Sequence, residues 1–266
     1  AAGKRFGSGP SDPGPPEGRL ARLRGRKLTT AVMRSVLSFA VLSVAFAAQA
    51  QLVVIDDFSS PAQAIAVNVT GGEASSYVAA PGAFGGSRGI AIDTVTALNG
   101  RTARLEVGGG AFGSNGVRTS SRMSVGYGLT GFASSSSSTP TFSTANSLSL
   151  PGLTGWEFEW LGNDRPVELI VGARRYDAGT NTYSDSVWAL PVAVGGARTL
   201  TLDSSNLVAN AAGSGPYSSI GFIVNGTITD AADFGVGKFS AVVPEPASMA
   251  VLGLGLAALK RRRRNG

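Results

Sequence analysis

The amino-acid sequence contains neither cysteine nor histidine among its 266 residues. Without cysteine the chain has no disulfide, so a folded domain must rest on its own hydrophobic core. Without histidine, Ser-His-Asp and Cys-His catalysis are excluded, and the two absences together remove the usual ligand sets for zinc, haem and blue copper. The sequence therefore predicts neither an enzyme of these classes nor a bound cofactor, although oxygen ligands for Ca²⁺ remain.

Charged residues are also scarce, at 15% of the chain, and their distribution makes the overall charge misleading. The formal net charge is +6, but residues 1–34 carry eight cations and two anions, and residues 244–266 carry five and one. Residues 51–243 hold ten cations and fourteen anions, a net charge of −4. Because the basic character belongs to the two ends and the central region is mildly acidic, we predict no nucleic-acid partner.

The N-terminal region divides into a leader and a targeting segment. Residues 1–32 are rich in Gly, Pro and Arg without apolar periodicity, so we predict a disordered leader and hypothesise that it precedes the native translation start. Residues 33–50 have the basic start, the uncharged stretch and the A-x-A ending of a secretory signal peptide with its short helix. Signal peptidase is therefore a predicted partner. Ala48 and Ala50 are the two alanines of the A-x-A ending, and the predicted cleavage lies between Ala50 and Gln51.

Residues 244–266 form a segment with three parts. Pro244, Glu245 and Pro246 disfavour helix and precede thirteen uncharged residues, 247–259, which predict a short hydrophobic helix. At 1.5 Å per residue this helix would span about 20 Å, less than the roughly 30 Å hydrocarbon core of a bilayer. Five cations then favour the cytoplasmic side of a membrane, with the rest of the chain outside. This membrane-stop cluster consists of Lys260, Arg261, Arg262, Arg263 and Arg264.

Two simpler interpretations of this segment are a plain membrane anchor and a basic peptide that binds anionic lipid or nucleic acid. A membrane anchor needs a longer apolar run than this segment has. A peptide that binds nucleic acid does not need a long uncharged run. The triplet, the apolar run and the Arg cluster resemble, in their order and spacing, the PEP-CTERM sorting signal of Gram-negative envelope proteins. The resemblance implies that an exosortase in the inner membrane recognises Pro244, Glu245 and Pro246 and removes the segment after them. It also implies a bacterium that makes exopolysaccharide.

Residues 51–243 consist of short apolar or alternating runs separated by Gly, Ser, Asn and Pro, and no window has helical periodicity. About ten strands predict an all-β fold, an antiparallel β-sandwich with a jelly-roll-like arrangement. Without an internal repeat, a solenoid or a calcium-binding repeat protein is the weaker alternative. Asn99-Gly100 and Asn225-Gly226 are hairpin-type dipeptides, and the first lies directly between two predicted strands. The predicted strands are Leu52 to Phe58, Ala64 to Thr70, Gly89 to Thr96, Arg101 to Val107, Val117 to Gly126, Gly155 to Leu161, Val167 to Arg174, Arg198 to Leu202, Ser219 to Val224 and Phe234 to Val242.

The segment Trp156-Glu157-Phe158-Glu159-Trp160 combines three aromatic and two acidic side chains. On a strand, the period of two places the aromatics on one face and the carboxylates on the other. The favoured interpretation is an aromatic core strand with a wet acidic face. An alternative is an exposed platform in which Trp156 and Trp160 stack on sugar rings, as in carbohydrate-binding modules. A further alternative makes Glu157 or Glu159 a glycosidase acid, since carboxylates two apart on a strand lie about 7 Å from each other.

Four aspartates form the candidate metal site of the sequence. Asp56 and Asp57 lie near the first predicted strand, and Asp230 and Asp233 precede the last. If these strand ends meet across the sandwich, their carboxylates supply the oxygen ligands that Ca²⁺ prefers. Such acids more often close turns and cap strand ends, so the prediction is no metal, with Ca²⁺ as the alternative.

Together these features predict a non-enzymatic exported protein at the cell surface or in the extracellular matrix of a Gram-negative bacterium, where the sandwich acts structurally or adhesively. One alternative is a carbohydrate-binding module that holds exopolysaccharide, and another is a polysaccharide hydrolase that uses carboxylates. Burial of both Trp156 and Trp160 would remove the sugar platform. The tail is also labelled an ice-binding protein C-terminal domain, but the flat, regular Thr array of an ice-binding face is not visible in the sequence.

Overall fold

In the computed structural model, the described residues are 50–116, 118–144, 146–211, 216–229 and 231–245. Within these ranges the chain forms sixteen β-strands and two short 3-10 turns, and it contains no α-helix. Accordingly, no helix in this part of the chain has the length and apolar character that crossing a membrane requires. The predicted signal helix and C-terminal hydrophobic helix lie outside the described residues.

The strands follow one another along the whole described chain. Their order is β1 (Ala50–Asp56), β2 (Gln63–Val67), β3 (Glu73–Ala79), β4 (Ser87–Ala97), β5 (Ala103–Gly108), β6 (Ala111–Gly116), β7 (Thr119–Tyr127), β8 (Leu129–Phe132), β9 (Pro140–Phe142), β10 (Gly155–Asn163), β11 (Val167–Asp177), β12 (Thr182–Val192), β13 (Arg198–Leu202), β14 (Leu207–Ala209), β15 (Ser219–Asn225) and β16 (Phe234–Pro244).

Two antiparallel sheets account for all of these strands except β8 and β9, which form a separate hairpin. Sheet A has the strand order β13-β10-β16-β6-β5-β2, and β1 also pairs with β16. Sheet B has the order β14-β12-β11-β15-β7-β4-β3. Consecutive strands repeatedly lie in different sheets, as β10 and β11 do, which is the jelly-roll-like pattern. The prediction of an all-β antiparallel sandwich is confirmed.

The sandwich core lies between the inner faces of the two sheets. Alternation along β10 turns Trp156, Phe158 and Trp160 inward, and all three side chains are fully buried. Phe158 stacks on Phe239 of β16 with 4.7 Å between ring centroids, and it meets Phe222 of β15 edge-on at 5.1 Å. These rings join sheet A to sheet B, so the interpretation of this segment as an aromatic core strand is confirmed.

Each of the ten predicted strands overlaps a strand of the structure, and Arg198–Leu202 agrees to the residue. A hairpin at Asn99-Gly100 is wrong, because the 3-10 turn Leu98–Gly100 leads from β4 in sheet B to β5 in sheet A. Asn225 likewise ends β15 of sheet B, and the next strand after Gly226, β16, lies in sheet A. These dipeptides favour a tight change of direction, but burial of the apolar faces decides which strands pair.

A buried polar network links β1 to sheet B. Arg88 on β4 is fully buried, and its Nη1 donates to Asp56 Oδ2 on β1 at 2.9 Å. Arg88 Nε donates to Gln63 Oε1 at 2.8 Å, and Nη2 donates to the Pro61 carbonyl. The Tyr127 hydroxyl donates to the same Asp56 oxygen at 3.0 Å. Burial, and then the nearby Asp56 charge, raise the pKa of Tyr127 well above its usual value.

Candidate functional site

The sorting segment begins on the folded sandwich itself. β16 is an interior strand of sheet A that pairs with β10 and β1, and it ends at Pro244, which is registered with Ala50. The main-chain N–H of Thr154 donates to the Val242 carbonyl at 2.9 Å, and the Thr154 hydroxyl donates to the same oxygen at 3.0 Å. The first proline of the triplet is therefore part of the sheet, and no linker separates the sandwich from the segment that follows.

The predicted processing residues meet at this end of sheet A. Ala50 and Gln51 open β1, are exposed, and pair with Pro244 and Val243. Glu245 follows β16 and is half-buried. The structure thus places the predicted signal-peptidase site beside the start of the triplet, and both assignments stay predictions. The other predicted residues of the two signals lie outside the described residues, namely Ala48, Pro246, Lys260, Arg261, Arg262, Arg263 and Arg264.

The alternative of a sugar platform on β10 is ruled out by the burial of both tryptophans. Trp156 and Trp160 have no exposed surface, because the strand turns its aromatic face into the core. Trp160 stacks on Phe234 with 5.9 Å between ring centroids, and its indole N–H donates to Asn163 at 3.0 Å. Trp156 packs edge-on against Trp188 at 5.5 Å. A ring enclosed in this way cannot stack on a sugar.

The two carboxylates of β10 lie on the outer face of sheet A. Glu157 is registered with Thr201 and Ser240, and Glu159 with Lys238. The Lys238 Nζ lies 3.9 Å from Glu159 Oε2 in an exposed ion pair. The neighbouring strands thus offer these carboxylates hydroxyl and ammonium groups.

Among the described residues, the aspartates of the alternative calcium site form no metal-binding group. Asp56 belongs to the buried ion pair described above. The Asp57 carboxylate accepts hydrogen bonds from the hydroxyl and the main-chain N–H of Ser59, at 2.7 and 3.0 Å, which lower the pKa of Asp57. Asp230 lies outside the described residues. Asp233 is among the described residues. No group of three or more acidic side chains in this part of the chain could hold a metal ion.

A groove of about 340 Å³ lies on the outer face of sheet B. Its floor follows a row of registered glycines, from Gly172 on β11 through Gly221 on β15 to Gly126 on β7. Gly89 on β4 continues the row. The β8–β9 hairpin covers that end, because a Cβ on Gly89 or Gly126 would lie within 2.9 Å of the Leu129 side chain. At Gly172 a Cβ would meet no atom within 4 Å, so the floor is open there.

Apolar side chains and one ion pair form the walls of the groove. Ile170 and Ile223, registered across β11 and β15, lie on one side of the glycine row, and Val187 of β12 lies at its end. On the other side, Arg174 Nε and Nη2 donate to the two carboxylate oxygens of Asp185, each at 2.7 Å. These hydrogen bonds raise the pKa of Arg174. Among the described residues that line the groove, only Arg174 and Asp185 are charged.

An aromatic cluster continues the wall beyond Arg174. The guanidinium carbon of Arg174 lies 4.6 Å from the centroid of the Phe142 ring and 5.6 Å from that of Tyr183. Tyr183 is 40% exposed and lies 5.1 Å from the Tyr176 ring, centroid to centroid. Because cation–π contacts hold the guanidinium against the rings, the ion pair and the aromatic side chains form one continuous rim.

Sequence reasoning missed this groove. The strands β4, β7, β11 and β15 each contain one of the glycines Gly89, Gly126, Gly172 and Gly221, and a glycine within a strand often marks the close approach of a ligand or another backbone. That pattern was the available signal. The alignment of the glycines into one row depends on pairing between strands far apart in the sequence.

Residues 242–264 match the family model of the PEP-CTERM protein-sorting motif. The chain therefore carries a PEP-CTERM sorting motif, and this motif implies an exported protein that an exosortase sorts. The match begins on β16, two residues before the Pro-Glu-Pro triplet, and it confirms the resemblance found in the tail. Comparison of the chain with curated protein sequences found no match.

Two solved structures resemble the sandwich at low sequence identity. The family 11 carbohydrate-binding module of the cellulosomal cellulase Lic26A-Cel5E of Clostridium thermocellum is 7% identical, with 74% of this chain and 96% of that chain covered and a TM-score of 0.34. A family 11 carbohydrate-binding module from Clostridium thermocellum in complex with a β-1,3-1,4-mixed-linked tetrasaccharide is 8% identical. The comparison covers 73% of this chain and 95% of that chain, with a TM-score of 0.34. At these scores neither likeness indicates what the present chain binds.

Proposed function

We propose that this exported protein belongs to the envelope of a Gram-negative bacterium and that its sandwich has a structural or adhesive, non-catalytic role at the cell surface or in the extracellular matrix. The observation that carries the proposal is the sorting motif at residues 242–264, which continues from β16 without a linker. While the motif is attached, the sandwich must lie next to the membrane. Removal of the motif releases the folded sandwich to the outside.

Two features of the described residues support a non-catalytic role. The outer-face carboxylates of Glu157 and Glu159 have no acid registered beside them on the neighbouring strands. In the groove, the charges of Arg174 and Asp185 neutralise each other, and an arginine guanidinium stays protonated at any working pH. General acid–base catalysis needs a group whose pKa lies near the working pH. The groove is therefore suited to binding rather than to proton transfer.

Fractionation of cells with and without the exosortase tests the proposal. With the enzyme, we expect the protein to leave the inner membrane and mass spectrometry to find its C-terminus before Lys260. Without the enzyme, the intact tail should stay in the membrane fraction. A variant with Pro244→Ala, Glu245→Ala and Pro246→Ala should resemble the wild type in the deletion strain, whereas the matched loop variant Pro166→Ala should be processed normally. An intact tail in both strains would show that the protein is not sorted in this way.

A further inference from the structure

Packing within the protein does not explain Gly172. This residue lies in the middle of β11, registered with Val187 and Gly221, and the Cβ that it lacks would meet no atom within 4 Å. Its φ angle is not among the positive values that favour glycine. Glycine inside a strand costs about 0.5–1 kcal/mol relative to alanine, and it often marks a place where a ligand approaches the sheet. The open floor at Gly172 is therefore the feature that points to a ligand.

The walls of the groove indicate the chemistry of that ligand. Ile170 and Ile223 offer apolar contact, whereas the Arg174 and Asp185 side chains, 32% and 39% exposed, offer hydrogen-bond donors and acceptors at one edge. Because the two charges neutralise each other, a charged ligand gains little net Coulomb attraction. A ligand with apolar faces and polar, uncharged edges matches both surfaces. Sugar rings have this structure, with C–H faces and hydroxyl edges.

The position of the groove distinguishes a glycan from an added peptide strand. β11 is paired on both sides, with β12 and β15, and β15 is paired with β7, so their backbone groups are already used. A peptide strand adds to a free sheet edge, which this face does not offer. The aromatic rim runs from Phe142 through Tyr183 to Tyr176, past the end of the groove, and it offers contacts to successive units of a polymer.

We propose that the groove binds a neutral glycan strand, with apolar sugar faces over Gly172 and the two isoleucines and with hydroxyls on Arg174 and Asp185. This inference rests on the proposed adhesive function and names the class of polymer to which the exported protein adheres. The groove lies on sheet B, whereas the sorting segment continues from sheet A, so binding and sorting use separate parts of the sandwich.

Pull-down of the full chain in mild detergent on immobilised polymers tests the proposal. The probes are three neutral polymers, namely a mixed-linked β-glucan, dextran and a galactomannan, and one acidic polymer, alginate. High salt is used throughout because it screens the attraction of the basic ends for alginate. We expect retention on at least one neutral polymer and none on alginate. The retained polymer in soluble form should also raise the melting temperature of the protein, since it binds the folded state.

Substitution of the groove floor provides the decisive variants. Gly172→Val should weaken retention by about tenfold or more, a change of about 1.4 kcal/mol, because its side chain occupies the open floor. Its melting temperature should be equal or higher, because valine favours strands. Gly172→Ala serves as the smaller variant if the valine disturbs folding. Gly196→Ala is the matched control, since a Cβ there also meets no atom within 4 Å but lies outside the groove.

Three results would overturn the groove proposal: retention on none of the neutral polymers, retention on alginate alone, or undiminished retention of folded Gly172 variants. None of these results bears on the exosortase experiment, which depends on the tail. Normal C-terminal processing combined with no polymer retention would therefore refute the glycan inference and leave the sorting proposal intact.

Discussion

Removing the cation of the buried ion pair should be among the most damaging single changes to this fold. Arg88→Met keeps an unbranched apolar stem but leaves the Asp56 carboxylate, 1% exposed, with hydrogen bonds from Tyr127 and the Phe58 main chain and without its cation. It also removes the donor to Gln63. Breaking a buried pair in this way costs about 3–5 kcal/mol, a large part of the roughly 5–15 kcal/mol that stabilises a typical domain.

Chemical denaturation, monitored by the fluorescence of the buried tryptophans, measures this loss. The midpoint for Arg88→Met should fall while the denaturant slope stays unchanged. The control is Arg104→Met, which removes a cation that is 57% exposed and paired with Glu106, and it should change stability by less than about 0.5 kcal/mol. Adding Asp56→Asn to Arg88→Met should recover at least about 1 kcal/mol, because the amide carries no charge. A loss below about 1 kcal/mol for Arg88→Met would refute the reasoning.

Two further predictions concern Tyr127 and β10. Because the pKa of Tyr127 is raised in the folded state, its contribution is fully present below the ordinary value of about 10 and is lost as the pH rises above it. Thermal unfolding above pH 10 should therefore show a steeper loss of stability in the wild type than in Tyr127→Phe, and identical pH profiles would contradict this. Phe158→Ala, at 0% exposure, should cost about 3–5 kcal/mol in denaturation, whereas the exposed Glu159→Ala should change stability by less than about 0.5 kcal/mol. Similar losses in both variants would contradict the alternation of buried and exposed side chains.

Local pattern was enough to predict most of the strands, and β12 shows where it fails. β10 was found because aromatic and acidic residues alternate along it, so the buried face could be read directly. Along β12 the inward-facing Ser186 is polar, and Pro191 interrupts the run, so the alternation is hidden. The neighbouring strand β11, which pairs with β12 from end to end, supplies the information that the sequence of β12 lacks.

Long-range pairing limits what could be predicted about the turns and the candidate site. Asn99-Gly100 has the chemistry of a hairpin, but β4 pairs with β3 and β7 in sheet B, whereas β5 pairs with β2 and β6 in sheet A. The groove depends in the same way on Gly172 and Gly221 being opposite each other, although 49 positions separate them in the sequence. The tail was predicted more completely, because a sorting motif is read along the chain and needs no partner strand.

The place of β16 in sheet A has a consequence for the timing of export. β1, β6 and β10 all pair with this strand, yet it is the last strand of the sandwich to be synthesised. Contacts between distant parts of a chain form slowly, and a chain that crosses a membrane emerges from its N-terminus. Sheet A therefore lacks one of its interior strands until β16 emerges. The sorting triplet begins with Pro244, the last residue of this strand, so closure of the sheet and presentation of the sorting signal coincide.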